Sequence, residues 1–213
     1  MVLGEKGLDY DFENVSIMPM PDWFAEISPA RRIPVLRDKR IGTDGVPGTI
    51  PDSSAIVGYL EKLEPEPAIY PAAAYEYGRA LFIEEYADSV MAMLGGMGIF
   101  RAVVFPRFQG KESDLDTARQ TWNDKLPPVL DYLESTLNGG DFFVGGELSI
   151  ADIAVAAQIG QLDIVAGLPS VQRWPGVVGH YQRMTELPGM AKNLAACAKV
   201  LAKVVPEKLD LSA

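Results

Sequence analysis

Two short stretches carry residues whose types and spacing suit the capture of a small anion. Asp52-Ser53-Ser54-Ala55-Ile56 places a carboxylate and hydroxyls where an apolar helical period begins. A helix N-terminus leaves main-chain N–H groups unpaired and carries the positive end of the helix dipole. A ligand carboxylate is therefore accepted there, with the Ser53 hydroxyl as an extra donor and Asp52 free to pair an ammonium. The same two residues serve equally as plain helix caps. Ile33-Pro34-Val35-Leu36, ending sixteen residues before Asp52, predicts a short strand that opens with a proline. Proline lacks a ladder donor and is tolerated at a sheet edge. The Ile33–Pro34 bond is either the usual trans form or a cis form that turns the main chain of Ile33 outward. Together the two stretches suit a small peptide-like anion.

Other chemistry-bearing residues have simpler explanations. Ser149-Ile150-Ala151-Asp152 ahead of an apolar run is a capping box with Asp152 in the usual Glu/Gln place, so Ser149 and Asp152 are structural caps and not catalytic groups. Met91-Ala92-Met93-Leu94-Gly95-Gly96-Met97-Gly98-Ile99-Phe100 is unusual for a helix, since each interior glycine costs about 1 kcal/mol against alanine. Flexible Met side chains suit an adaptable apolar pocket, and a kinked core helix explains the run equally well. Arg31-Arg32 either neutralises a ligand carboxylate or is a solvated pair. Cys197, near Leu194 and Leu201, predicts a buried inert thiol, and His180 predicts a surface or helix residue. With one Cys and one His, the chain supports no internal disulfide, thiolate metal cluster or His-rich metal site.

Composition narrows the partners. The 213 residues carry 19 Lys plus Arg against 29 Asp plus Glu, a formal charge of −10 that repels nucleic-acid backbones. No uninterrupted apolar run reaches the roughly 18–20 residues that span a bilayer, and the first residues lack a signal-peptide pattern, so neither a membrane nor secretion is expected. Cytoplasmic residence is the expectation.

The elements that must position these groups change character along the chain. Leu8 to Val15 alternates apolar and polar residues and predicts a half-buried strand. A short helix is expected at Asp22 to Ile27, a second strand at Ile33 to Leu36, a turn at Asp44-Gly45 and a returning strand at Thr49-Ile50. Ile56, Tyr59, Leu60 and Leu63 then fall on one helix face, and Glu64-Pro65-Glu66-Pro67 stops that helix. Beyond it the patterns are helical: Ala72 to about Phe105, Asp114 to Leu137 with a dip at Pro127-Pro128, Ser149 to Val165, and one or two helices from Val177 to about Val204. A small β-containing part followed by an all-helical part predicts two domains.

In this order the motifs resemble those of the glutathione transferase superfamily. Ser28-Pro29-Ala30-Arg31-Arg32-Ile33-Pro34-Val35-Leu36 is similar to the family's Asn-Pro-x-Gly-Lys-Val-Pro-x-Leu stretch, with Ala30-Arg31 in place of x-Gly. Asp52-Ser53-Ser54-Ala55-Ile56 resembles the start of its third helix, Gly145 to Asp152 the motif opening its sixth, and Glu5 to Tyr10 the passage from its first helix to its second strand. The resemblance implies an α+β chain with three parts. These are an incomplete thioredoxin-like glutathione-binding domain at 1–65, a linker at 66–72, and an all-α C-terminal helical bundle at 73–213.

The resemblance also implies a cis Ile33–Pro34 bond, with the main chain of Ile33 pairing the cysteinyl part of glutathione. Asp52 and Ser53 would hold its γ-glutamyl end and Arg32 its glycyl carboxylate. Met91, Met97, Phe100 and Arg101 would line the electrophile pocket between the domains. Glutathione is the implied co-substrate, a small hydrophobic electrophile the second substrate, a homodimer the implied assembly, and no metal is needed. Family members open with a strand and a loop bearing Ser, Tyr or Cys, whereas Met1 here falls within the first helix. The strand and the catalytic residue are thus expected N-terminal to Met1, and Tyr10, Ser16 and Ser28 are no substitutes. Without that interior strand, Leu8 to Val15 and Ile33 to Leu36 would be left with unpaired edges. The implied activity is a glutathione transferase. The alternatives are a non-catalytic binding module and a glutathione-dependent isomerase, dehalogenase or peroxidase.

Overall fold

Alternation alone does not make a strand, because strands hold only through ladder bonds to a neighbour. In the computed structural model, which describes residues 1–16 and 19–212, the stretch expected as a strand at Leu8 to Val15 runs irregularly. Residues 9–14 of it lie in solvent, Phe12 at 82% and Tyr10 at 40% exposure, while Leu8 and Val15 are half-buried. The expected strand at Ile33 to Leu36 contracts for the same reason to β1 (Leu36–Arg37). It pairs antiparallel with β2 (Thr49–Ile50), Leu36 opposite Ile50 and Arg37 opposite Thr49. Among the described residues these two form the sheet. Gly48 closes the hairpin at φ +77°, where a Cβ would stand 2.5 Å from the carbonyl oxygen of Asp38.

Packing divides the chain into Val2–Ala68 on one side and Ile69–Ala213 with Met1 on the other. The first unit also holds α1 (Val2–Glu5), α2 (Phe24–Ile27) and α3 (Ser53–Leu63). α3 buries Ile56, Val57 and Leu60. At its end the Lys6 ammonium is fully enclosed, 2.7 Å from Glu61 Oε2 and donating to the carbonyls of Glu64 (2.7 Å) and Pro67 (2.9 Å). A cation at a helix C-terminus satisfies unpaired carbonyls and the negative end of the dipole.

The second unit is helical throughout. α4 (Ala74–Tyr86) continues through π-helical turns at Ala87–Met91 and Met93–Phe100 into α5 (Arg101–Phe108). α6 (Leu115–Gln120) passes through a π-helical turn at Thr121–Lys125 into α7 (Leu126–Leu137). α8 (Ile150–Ala166), α9 (Pro175–Thr185) and α10 (Pro188–Leu201) complete it. α8, apolar on nearly every side, is the core, packed by α4, α9, α10 and the π turns. Pro188 splits the C-terminal stretch into two helices.

The π turns have a sequence cause. Ile83, Ala87, Met91, Gly95, Ile99 and Val103 are all buried and recur every four residues. At 3.6 residues per turn such a stripe would wind away from the core, and wider π turns return it. Gly98 allows the close approach of a neighbouring helix, because a Cβ there would stand 2.5 Å from Thr121 Oγ1.

The continuous helix Ala74–Phe108 bears on the sequence expectation about membranes without overturning it. By length and composition it could cross one, with a mean hydropathy of 1.5 over an 18-residue window that is 33% buried. The core helix of a water-exposed fold passes the same test. Cys197 is exposed, contrary to expectation, because α10 buries Gly189, Met190 and Leu201 and turns the thiol away from them.

Candidate functional site

The first candidate region is the loop before β1. The buried Ser28 Oγ donates to the carbonyl of Arg32 (2.9 Å) and accepts from its N–H (3.0 Å), while the N–H of Arg31 donates to the Ser28 carbonyl (2.8 Å). This clamp fixes the backbone entering Ile33–Pro34, whose peptide bond is cis. Ile33 is 56% exposed, and its main chain finds no hydrogen-bond partner among the described residues. Arg32 and Pro34 are exposed as well. Sequence reasoning passed over Ser28 as a positioning residue; its signal was a hydroxyl four residues before the residue preceding the Ile-Pro pair.

Arg31 stands at φ +51°, in the left-handed region that glycine favours. It occupies the glycine place of the motif, so the departure noted in the sequence has a conformational cost. Its guanidinium lies 4.0 Å from Asp22, both side chains being well exposed.

The second region is the start of α3. Asp52 is the N-cap, its Oδ1 accepting from the N–H of Ala55 at 3.0 Å. Asp52 and Ser53 are exposed, and among the described residues the Ser53 hydroxyl has no partner. Both regions belong to the first unit.

A polar tether links the β1 side to α3. Asp38, just after β1, accepts from Arg40 Nη2 and Nε and from the Tyr59 hydroxyl on α3. The Arg40 guanidinium, then the Tyr59 hydroxyl, hold the Asp38 carboxyl well below the usual carboxylate range. The bond to Asp38 raises the Tyr59 phenol.

The residues expected to line an electrophile pocket separate on their helix. Met91 is buried at 2% exposure, whereas Met97 is 50% exposed, Phe100 half-buried and Arg101 exposed. Ser149 and Asp152 form the expected capping box. Asp152 does more than cap, for its Oδ1 also accepts from the Phe143 N–H (2.9 Å) and meets His180 Nε2 (3.0 Å). His180 is thus a buried residue of α9, not a surface one. Among the described residues no group of three or more His, Cys, Asp or Glu could hold a metal ion.

Comparison with known proteins accounts for this arrangement. Residues 1–63 match the glutathione S-transferase N-terminal domain and residues 99–196 the glutathione S-transferase C-terminal domain. The chain belongs to the glutathione transferase superfamily. It is 29% identical over 169 residues to a protein described as probable maleylacetoacetate isomerase 1 of Drosophila melanogaster, covering 75% of this chain and 61% of that one. It is 26% identical to glutathione S-transferase D6 of the same fly, covering 98% and 94%. A crystal structure of a glutathione S-transferase from Rhodospirillum rubrum superposes with a TM-score of 0.75 at 22% identity, covering 88% of this chain and 82% of that one. That likeness shows the shared fold, a thioredoxin-like part followed by a helical domain.

Proposed function

We propose that this protein binds glutathione and promotes attack of its thiol on an apolar electrophile, as a glutathione transferase. One observation carries the reading. The unpaired main chain of Ile33 and the open N-terminus of α3 with Ser53 lie within the stretch that matches the glutathione S-transferase N-terminal domain. The main chain of Ile33 would pair the cysteinyl part of the tripeptide beside Pro34. Asp52 and Ser53 would hold the γ-glutamyl end, and Arg32 the glycyl carboxylate. This assigns no residue of the described chain to stabilise the thiolate. A homodimer and cytoplasmic residence are part of the same proposal, carried by family habit.

A second reading, a glutathione-dependent isomerase, is favoured by relatives described as maleylacetoacetate isomerases in fly and rat. Both readings use the same glutathione residues and differ in the second substrate. Calorimetric titration with glutathione, paired with turnover of 1-chloro-2,4-dinitrobenzene and of a cis-enone acid, tests them. Binding with aryl halide turnover supports the transferase, and binding with isomerisation alone supports the second reading. Binding without either turnover leaves a non-catalytic module, and absence of binding removes all three.

A further inference from the structure

α10 is held to the second unit along one side. It buries Gly189, Met190 and Leu201, yet the consecutive residues Ala195 to Val200 are all exposed, more than a full turn of helix. Val200, the largest apolar residue among them, is 51% exposed. Helices in folded proteins gain most of their stability from packing, and this turn packs little of itself inside the chain. Charge on this helix opposes that of the rest. Between Glu186 and Glu207 the chain carries Lys192, Lys199 and Lys203 and no arginine or acidic residue, which leaves 16 basic against 29 acidic residues elsewhere. At about 100° per residue, Lys192 and Lys199 fall on one line opposite Met190 and Leu201, flanked by Ala195 and Ala196. Lys203 continues that line just past the end of the helix. All three lysines are exposed, and among the described residues Lys199 and Lys203 enter no ion pair.

A row of cations rimmed by alanines selects its occupant by charge and by breadth. A second copy of the same face would set lysine against lysine. Insertion into a lipid surface needs bulky apolar or aromatic side chains beside the cations, and alanines do not supply them. A lipid surface or a nucleic-acid duplex is also broad enough to meet the acidic excess of the body. A helix is only about 10 Å across and can lie along α10 alone. Carboxylates seven and eleven residues apart on such a helix match the lysine row, the first interval being about 10.5 Å. The alanines on either side let the two backbones come close.

We propose that α10 docks an acidic helix of a partner protein, whose carboxylates pair with Lys192, Lys199 and Lys203 and whose backbone passes over Ala195 and Ala196. This goes beyond the glutathione reading and does not depend on it. Fluorescence anisotropy on the full chain tests it with a labelled peptide of three Glu-Ala-Ala-Leu-Glu-Ala-Ala repeats, against the same peptide with Gln for Glu. The acidic peptide should bind saturably and the Gln peptide should not. Lys199→Gln combined with Lys203→Gln should weaken binding about fivefold. The charge-matched pair Lys62→Gln with Lys125→Gln, at exposed lysines outside α10, should leave it within about twofold. All four side chains are exposed, and thermal midpoints check that both variants fold. No binding of the acidic peptide, equal binding of the two peptides, or equal weakening by the two pairs of substitutions would overturn the proposal. Lysine-dependent sedimentation with phosphatidylserine vesicles in a protein that ignores the peptide would overturn it too, and assign the face to a membrane.

Discussion

Two aspartates open two helices in this protein and do different work. Asp52 starts α3 in solvent and spends one oxygen on the Ala55 N–H. Asp152 sits in the first turn of α8, wholly buried, and its oxygens serve Phe143, Ser149 and His180. The residue type and its position near a helix N-terminus are nearly the same. What differs is how many donors the rest of the fold supplies. A carboxylate with its acceptor sites filled is a structural joint, and one with open sites beside an exposed hydroxyl remains available to a ligand.

The sharpest way to break this contrast is to remove the buried carboxylate. Asp152→Ala leaves the Phe143 N–H, the Ser149 N–H and the His180 ring without their acceptor. Each orphaned buried donor costs about 1–3 kcal/mol, so the variant should lose about 3–5 kcal/mol in urea unfolding. Its folded fraction should bind glutathione as before. At the open site the effects should invert: Ser53→Ala changes stability by less than about 0.5 kcal/mol, and its consequence appears in glutathione affinity.

Arg31 offers a smaller test of the loop beside that site. Relief of its left-handed backbone by Arg31→Gly should raise stability by up to about 1 kcal/mol, offset in part by the greater freedom of glycine in the unfolded chain. A loss of stability in urea unfolding would mean that the side chain, not the backbone, decides that position. The mildest effect concerns pH. Asp38 has a folded pKa below its unfolded value, so its contribution is present above the ordinary carboxylate range and is lost as pH falls through and below it. Asp38→Asn should flatten the acid limb of stability between about pH 4 and pH 2. An unchanged acid limb would show that the bonds from Arg40 and Tyr59 to Asp38 contribute nothing there.

The same contrast between local and distant causes explains what could be read from the sequence. The helices of the second unit were legible because apolar periods, Pro188 and the Ser149 to Asp152 box act within a few residues. The start of α3 was legible for the same reason. Leu8 to Val15 misled because its alternation needs a paired neighbour, and among the described residues no strand beside it supplies one. His180, expected on the surface or in a helix, lies in α9 with its ring buried, whereas Cys197, expected to be buried, is exposed, since the buried side of α9 and α10 depends on what packs against them. Met91 and Met97 looked alike in sequence, and only the four-residue recurrence, once read as π turns, assigns one inward and one outward. The Ser28 clamp and the left-handed Arg31 needed coordinates, although the motif that contains them was visible through family resemblance.

The central claim is that Ile33 and the α3 start form a glutathione site, and calorimetric titration of glutathione into the wild-type protein and Ser53→Ala tests it most directly. The account predicts saturable binding that weakens by about 1–3 kcal/mol in the variant, at unchanged stability. Equal affinity in the two proteins, or no binding to the wild type, would contradict it.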